Sequence, residues 1–363
     1  IEQGALSGQA FSADPRPLDP AVPANPLQRL VFKVMYSKQD DYEAQLRKMG
    51  LLSRDSFTCT CYQPEVGNRP APGDVLSWAE SSAVVFANSV LGARCNRNSG
   101  IIELFGSIAG FVHEFGLLTD EGRQATQVIE VSCERKPEAQ VLGSAIGMKV
   151  MEDVPYIRGL DHWLGHELTA EVEDYLKDMG AASASNGAVG LYHVEGLTPE
   201  AREKGRDLIA PDARVYRIDD TELERVRASY PGMWKKPSAR PKLAFIGCPH
   251  LSATQLERWA GDICEGLAAA GHRRVQVPTV LTAAPAVTEA FRKTDAYARL
   301  ATTGAVVSSI CPLMYTNNPL CGGMPIVTNS NKLRTYSTAR YCTDREVLEC
   351  VTTGALAWKG GDR

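Results

Sequence analysis

The sequence predicts an α/β protein built in lobes, and three observations carry that reading. Apolar runs of strand length alternate with stretches of helical period along most of the chain, the pattern of strand–helix–strand units. The 363 residues, 44% hydrophobic and 23% charged, are enough for two or three compact units with a large core and do not fit a disordered chain. Tyr230 to Pro241 (YPGMWKKPSARP) places three prolines between two such alternating runs, which marks a boundary. The expected division is an N-terminal arm or linker over 1–35, a first α/β lobe or lobes over 36–238, a second α/β lobe over 239–350 and a frayed tail over 351–363.

Taken in order, Ala10 to Leu27 holds five prolines and reads as an extended arm. Leu30 to Met35 reads as a short strand, and Gln39 to Met49 as a helix that Gly50 stops. Asp55 to Cys61 reads as a strand running into a loop. Ser77 to Leu91 and Gly100 to Gly110 read as helices, Ala125 to Cys133 as a strand and Leu142 to Val150 as a helix. Asp161 to Met179 shows the clearest helical period, through Leu164, Leu168, Val172, Leu176 and Met179. Gly187 to Val194 reads as a strand, Thr198 as the start of a short helix, Arg214 to Ile218 as a strand and Asp220 to Ala228 as a helix. Beyond the boundary, Lys242 to Gly247 reads as a buried strand. Ser252 and Gln255 then open a helix to Ala270 with a capping box. Strands follow at Arg274 to Leu281 and Gly304 to Ser309, around a helix over Pro285 to Leu300. Pro325 to Val327 leads through Thr328–Lys332 into a helix that reaches Arg340.

A net charge of -4 without a basic run argues against a nucleic-acid partner, and no apolar run is long enough to cross a bilayer. The first residues lack the basic-then-apolar order of a secretory signal, so a cytoplasmic setting is expected. In that setting ten cysteines do not imply a disulfide framework. No C-x-x-C pair occurs, which counts against a zinc ribbon or a thioredoxin-like site.

The stretch from Phe57 to Arg97 is the most unusual. Glu80, Ser81 and Ser82 open a segment that is apolar on nearly every side, as in a buried helix whose polar first turn faces something other than bulk water. A helix N-terminus suits an anion, and Arg94 and Arg97 can grip a carboxylate or phosphate. An ordinary core helix with a polar cap fits the same letters. His162 and His166, one turn apart on a helix, have metal-binding spacing, but the glutamate of a helical zinc-protease site is missing, and a solvated helix face fits better.

Cys59, Cys248 and Cys311 each stand where an expected strand gives way to a loop. Three thiolates from separate strand ends can hold an iron–sulfur cluster with one iron left without a cysteine. Three unrelated buried thiols fit the spacing equally well. Cys61 and Cys321 stay open as further ligands.

Several segments together carry a resemblance. They are Thr58-Cys59-Thr60, Trp78-Ala79-Glu80-Ser81-Ser82-Ala83 through Ala87-Asn88-Ser89, Leu91–Arg94 with Asn96-Arg97, Leu191–Gly196, Ile246–His250 and Thr328-Asn329-Ser330 with Lys332. In this order, from about Tyr42 to about Tyr341, the chain resembles the large catalytic subunit or domain of the aconitase X family. The resemblance implies aconitase-like layered α/β/α lobes with mixed or parallel sheets. It implies an iron–sulfur hydro-lyase, of the kind that dehydrates cis-3-hydroxy-L-proline or, alternatively, mevalonate 5-phosphate. It places Cys59, Cys248 and Cys311 on the cluster, of 2Fe-2S, 3Fe-4S or 4Fe-4S type, while Cys61 stands where a proline is expected. The chain departs from the family before Tyr42. Nothing in it resembles the small swivelling domain that completes the family's active site, so a separate subunit or fused piece is the expected partner, and family analogy makes that partner one source of the catalytic base.

The reaction so implied is loss of water from a small hydroxy acid. Ser81, Lys332, His193 and Glu195 are the candidate bases in this chain, each equally readable as a positioning residue. Glu80, Ser82, Asn88, Arg94, Arg97, His250 and Ser330 are the candidate substrate contacts. Without a glycine-rich phosphate cradle, the hydroxyproline substrate is preferred. A non-enzymatic iron–sulfur or thiol-based sensor or scaffold on the same fold is the alternative of a different class.

Overall fold

The structure, a computed structural model, describes residue 4 and residues 6–356. Two units emerge, and they cut the chain differently from the expected lobes. One comprises Ser7–Gln9 and Asn68–Tyr230, the other Ala10–Gly67 and the chain from Pro231 onward. The break falls at Tyr230, and Ala10–Gly67 groups with the chain that follows it.

In the unit spanning Asn68–Tyr230, β1 (Val75–Leu76) and β2 (Arg94–Cys95) form a small parallel pair. The main sheet holds β3 (Ala125–Val131), β4 (Pro155–Arg158), β5 (His193–Val194) and β6 (Ile209–Ile218) in the order β5-β4-β3-β6, all parallel. The strand expected from Gly187 pairs only over its last two residues. Helices Ala139–Val150 and Ala170–Asn186 cross closely, and a Cβ on Gly143 would lie 2.1 Å from the Met179 carbonyl oxygen. Helix Ser81–Ser89 packs beside the second of these and is buried from Ser82 to Ser89. The single helix expected over Asp161 to Met179 is two. A short turn over Asp161–Leu164 ends at Gly165, whose φ of 69° leaves the helical region, and Thr169 caps a new helix at Ala170. His162 and His166 therefore do not share a helix face.

In the other unit, β7 (Leu243–Leu251), β8 (Thr279–Ala283), β9 (Val306–Ser308), β10 (Ile326–Thr328) and β11 (Arg340–Tyr341) run in the order β11-β10-β7-β8-β9, again all parallel. β7 is buried at every position, as a strand covered on both faces must be. Its alternate residues feed two cores. Ala244 and Ile246 pack with Trp259, Ile263, Leu267 and Val347, while Leu243 and Phe245 pack with Phe32, Tyr315 and Leu333. The result is an α/β/α layering around a parallel sheet, in agreement with the expected fold class.

The N-terminal segment is not a detached arm. Residues Pro26–Met35, expected to end in a strand, form a helix with a capping box between Asn25 and Gln28, and Phe32 plugs the second core. Phe11, Ala13 and Arg16 make single bridges to Leu51, Phe57 and Ile310. The expected strand over Asp55 to Cys61 is a loop with only that bridge at Phe57. Three further expectations change. Thr294 splits the Pro285 helix into Pro285–Phe291 and Asp295–Thr302. The helix after Ser330 ends at Thr335, because Arg340 and Tyr341 join the sheet as β11. Helix Asp344–Thr353 buries Val347, Cys350 and Val351, so the chain at residues 351–353 is ordered core and not a tail; residues 357–363 lie outside the described residues.

Candidate active site

The three singled-out cysteines lie in one unit, and the loops that carry them are tied to one histidine. The parallel strands put the carboxyl ends of β7, β9 and β10 on one sheet edge, where α/β proteins gather ligands. β7 slips register between Ile246 and Leu251 at Gly247, whose φ is +99°. A Cβ there would lie 2.6 Å from Leu251 Cγ and 2.7 Å from the Thr282 carbonyl oxygen, so only glycine fits. The slip takes Cys248, Pro249 and His250 out of the regular ladder.

His250 has no exposed surface. Its Nε2 lies 3.2 Å from the Ile310 carbonyl oxygen and its Nδ1 lies 2.9 Å from Thr58 Oγ1. A carbonyl only accepts, so Nε2 carries the proton, and Nδ1 shares the second bond with the threonine hydroxyl. The His250 backbone N–H donates to Cys59 Sγ at 3.4 Å. Thr58 precedes Cys59, Ile310 precedes Cys311, and Cys248 lies two residues before His250. One ring thus ties together the three loops that carry the thiols. Burial removes His250 from the candidate substrate contacts.

Ser330 is also buried and engaged. Its hydroxyl donates to the Cys248 carbonyl and accepts from the Leu333 N–H at 3.0 Å, capping the short helix after β10. That too is a positioning role. Lys332 is buried beside these residues. Burial raises the Cys311 thiol above its ordinary range, while the Met314 and Leu313 N–H groups and the Lys332 charge oppose the shift.

The other cysteines read as packing. Burial pushes Cys95 up to about 12, and Cys133 and Cys350 up to about 11. Cys321 is buried with Gln28 Nε2 donating to its sulfur at 3.3 Å, and Cys61 is buried. Among the described residues no group of three His, Cys, Asp or Glu is placed to hold a single metal ion, the His162 and His166 pair included.

The remaining candidates lie in the Asn68–Tyr230 unit, where the structure redistributes their roles. Glu80 is the N-cap of helix Ser81–Ser89. Its carboxylate accepts from the Ala83 N–H at 2.7 Å and the Ser82 hydroxyl at 2.6 Å. The helix end expected to receive a substrate anion is therefore filled by its own carboxylate. Asn88 is buried, bonding the Cys95 backbone at both its carbonyl (2.8 Å) and its N–H (2.9 Å) and the Gly190 carbonyl (2.8 Å). Arg94 donates to the Leu118 carbonyl at 2.7 Å and pairs with Asp120. Arg97 is exposed at a cleft of about 460 Å³ with Leu76, Ile102, Phe105, Phe111 and Phe115 on its walls. Ser81 begins the helix half-buried.

His193 and Glu195 do not face a substrate as free bases. Glu195 sits between Arg158 (3.4 Å) and Arg206 (2.9 Å). His193 is 1% exposed, with Nε2 2.9 Å from the Arg123 carbonyl and Nδ1 3.9 Å from Glu200. Burial lowers its pKa, more than the Arg123 carbonyl and Glu200 raise it. Arg123 and Glu200 are residues the sequence reading missed. The Arg123 guanidinium reaches both Glu200 oxygens, Asn88 Oδ1 and the Asn88 and Leu117 carbonyls, all within 3.1 Å. No local motif marks Arg123, since its partners lie far along the chain.

Three family models match in succession. They are the aconitase X first domain over residues 23–121, the second domain over 125–228 and the third domain over 241–353. The phosphomevalonate dehydratase large subunit of Thermococcus kodakarensis is 34% identical over 305 residues, 82% of this chain and 71% of that one. The cis-3-hydroxy-L-proline dehydratase of Pseudomonas aeruginosa is 32% identical over 301 residues, 78% of this chain and 47% of that one. The crystal structure of Thermococcus kodakaraensis aconitase X in its holo-form superposes with a TM-score of 0.77 at 30% identity, covering 96% of this chain and 83% of that chain. The matches span 35% to 71% of the length of these curated relatives. The chain belongs to the aconitase X family of dehydratases.

Proposed function

We propose that this chain is the cluster-bearing large part of a hydro-lyase that removes water from a small hydroxy acid. The observation that carries the reading is the meeting of the Cys59, Cys248 and Cys311 loops at His250. The donor set suits an iron–sulfur cluster. Cluster cysteines bond different irons and so stand farther apart than the ligands of one ion, and a backbone N–H on a cysteine sulfur is a usual cluster contact. When bound with one iron lacking a cysteine, such a cluster supplies Lewis acidity toward the leaving hydroxyl.

The chain's own residues would do the rest. Cys59, Cys248 and Cys311 would hold the cluster, with Lys332 buried in the same unit. Within the Asn68–Tyr230 unit Arg97 is the candidate carboxylate contact, because Arg94 is already paired with Asp120. Of the base candidates, His193 is enclosed and Glu195 is bound by two arginines, which leaves Ser81 and Lys332 in this chain. A base on a separate small subunit or fused domain is the other source, and the relatives named as large subunits support such a partner. No helix among the described residues is long and apolar enough to cross a membrane.

Mevalonate 5-phosphate is the first substrate to test, on the 34% identity to a phosphomevalonate dehydratase subunit. The second is cis-3-hydroxy-L-proline, on the 32% identity to a dehydratase of that name and the lack of a glycine-rich cradle. The test is anaerobic turnover of each acid, with the partner supplied. One of them should lose water, and Arg97→Ala should raise KM for it about tenfold, the equivalent of ~1.4 kcal/mol. Turnover of neither by an iron-loaded protein, or an Arg97→Ala enzyme with unchanged KM, would defeat the corresponding part of the proposal.

A further inference from the structure

We infer that His250 is a positioning residue that locks the three thiol-bearing loops into one ligand set. The inference rests on the proposed cluster and adds a role for a buried residue outside the thiol set. Each link is short and directional. The ring bonds the hydroxyl of Thr58, one residue before Cys59, and donates to the carbonyl of Ile310, one residue before Cys311. The His250 N–H reaches Cys59 Sγ itself. Cys248 is fixed from the same strand, and its carbonyl is held by Ser330.

The backbone explains why a histidine is used. Cys59 lies in a loop with no ladder of its own, and Cys311 lies three residues past β9, at the start of a short helix. Each loop has only a single bridge to the N-terminal segment, Phe57 to Ala13 and Ile310 to Arg16, with the Thr58 N–H donating to the Ala13 carbonyl at 2.7 Å and the Cys311 N–H to the Arg16 carbonyl at 2.8 Å. A buried imidazole offers one acceptor and one donor on opposite sides of a rigid ring, so a single side chain can bridge two loops. Thr58 continues the chain of bonds, since its hydroxyl also accepts the Thr60 N–H at 3.0 Å.

The test uses the full chain with four substitutions: His250→Ala, which cuts both links, His250→Gln and His250→Asn, which each keep a polar group on one side, and Thr58→Val, which removes one link at nearly constant volume. Iron and sulfide are measured after anaerobic reconstitution, along with the cluster's electron paramagnetic resonance spectrum. On metal-free chain, the alkylation rate of each cysteine is read by mass spectrometry, with half-buried Cys133 and Cys264 as internal controls. His250→Ala should lower bound iron and sulfide at least threefold and speed alkylation of Cys59 and Cys311 at least threefold, leaving Cys133 and Cys264 unchanged. Thr58→Val should loosen Cys59 more than Cys311, and Gln or Asn should restore part of the iron. Unchanged rates at Cys59 and Cys311 would overturn the inference, as would a rise shared by Cys133 and Cys264. Wild-type chain that binds no iron or sulfide would instead defeat the proposed cluster, and the alkylation rates would still decide the role of His250.

Discussion

Arg123 uses its guanidinium entirely inside the protein, on Glu200, Asn88 and Leu117. It is 1% exposed, so removing it would leave the partly buried Glu200 carboxylate and the buried Asn88 without their partner, a change that costs several kcal/mol, at most about 3–5. The same cluster sets a pH dependence. Burial lowers the His193 pKa below its unperturbed value of 6.5. Burial by itself would raise Glu200, but the Arg123 bonds and charge outweigh it and the carboxyl ends below its ordinary value. In both cases the unfolded chain binds protons at a higher pH than the folded chain, so stability falls as the medium is acidified. The His193 share is lost as pH drops from about 6.5 toward its lower folded pKa, and the Glu200 share goes at lower pH. Urea midpoints should therefore hold level above about pH 7 and fall below it. His193→Gln should flatten the upper part of that fall, and a variant that tracks wild type from pH 7 to 5 would show that His193 does not contribute.

At the scale of elements, Gly247 makes the cysteine edge possible. Its positive φ and the packing of Leu251 and Thr282 leave no room for a side chain. Gly247→Ala should cost about 1–3 kcal/mol from the backbone alone, plus the clash, and should lower the thermal midpoint. An unchanged midpoint would show that β7 can turn without it. Elements with their own end signals were legible. Gln39–Met49 stops at Gly50, Asp220–Ala228 starts at its Asp219 cap, and the Ser252–Gln255 box is present as expected. Elements decided by tertiary contact were not. Leu30 to Met35 has a strand's composition, yet it ends a helix whose Phe32 fills the core. The helical period through Asp161 to Met179 continues across Gly165, where the backbone does not.

Over the whole molecule, the family and the parallel α/β architecture were legible because motif order and hydrophobic period are properties of the chain itself. The roles of polar residues were less so. Glu80, Asn88 and Arg94 have the chemistry of substrate contacts, but their partners Ala83, Cys95, Gly190 and Asp120 engage them within the protein, and no spacing rule reports that. Cys59 lies on a loop, Cys248 inside β7 beyond its register slip and Cys311 three residues past β9, and His250 supplied the connection that sequence separation had hidden. The relatives named as dehydratases leave the sensor alternative without support. The most direct test is iron and sulfide content after anaerobic reconstitution of wild type beside Cys59→Ser, Cys248→Ser, Cys311→Ser and, as a control, Cys95→Ser. The account predicts that wild type and Cys95→Ser hold the cluster while each of the other three loses most of its iron and sulfide. Full iron and sulfide in any one of those three would contradict a shared cluster on these thiols.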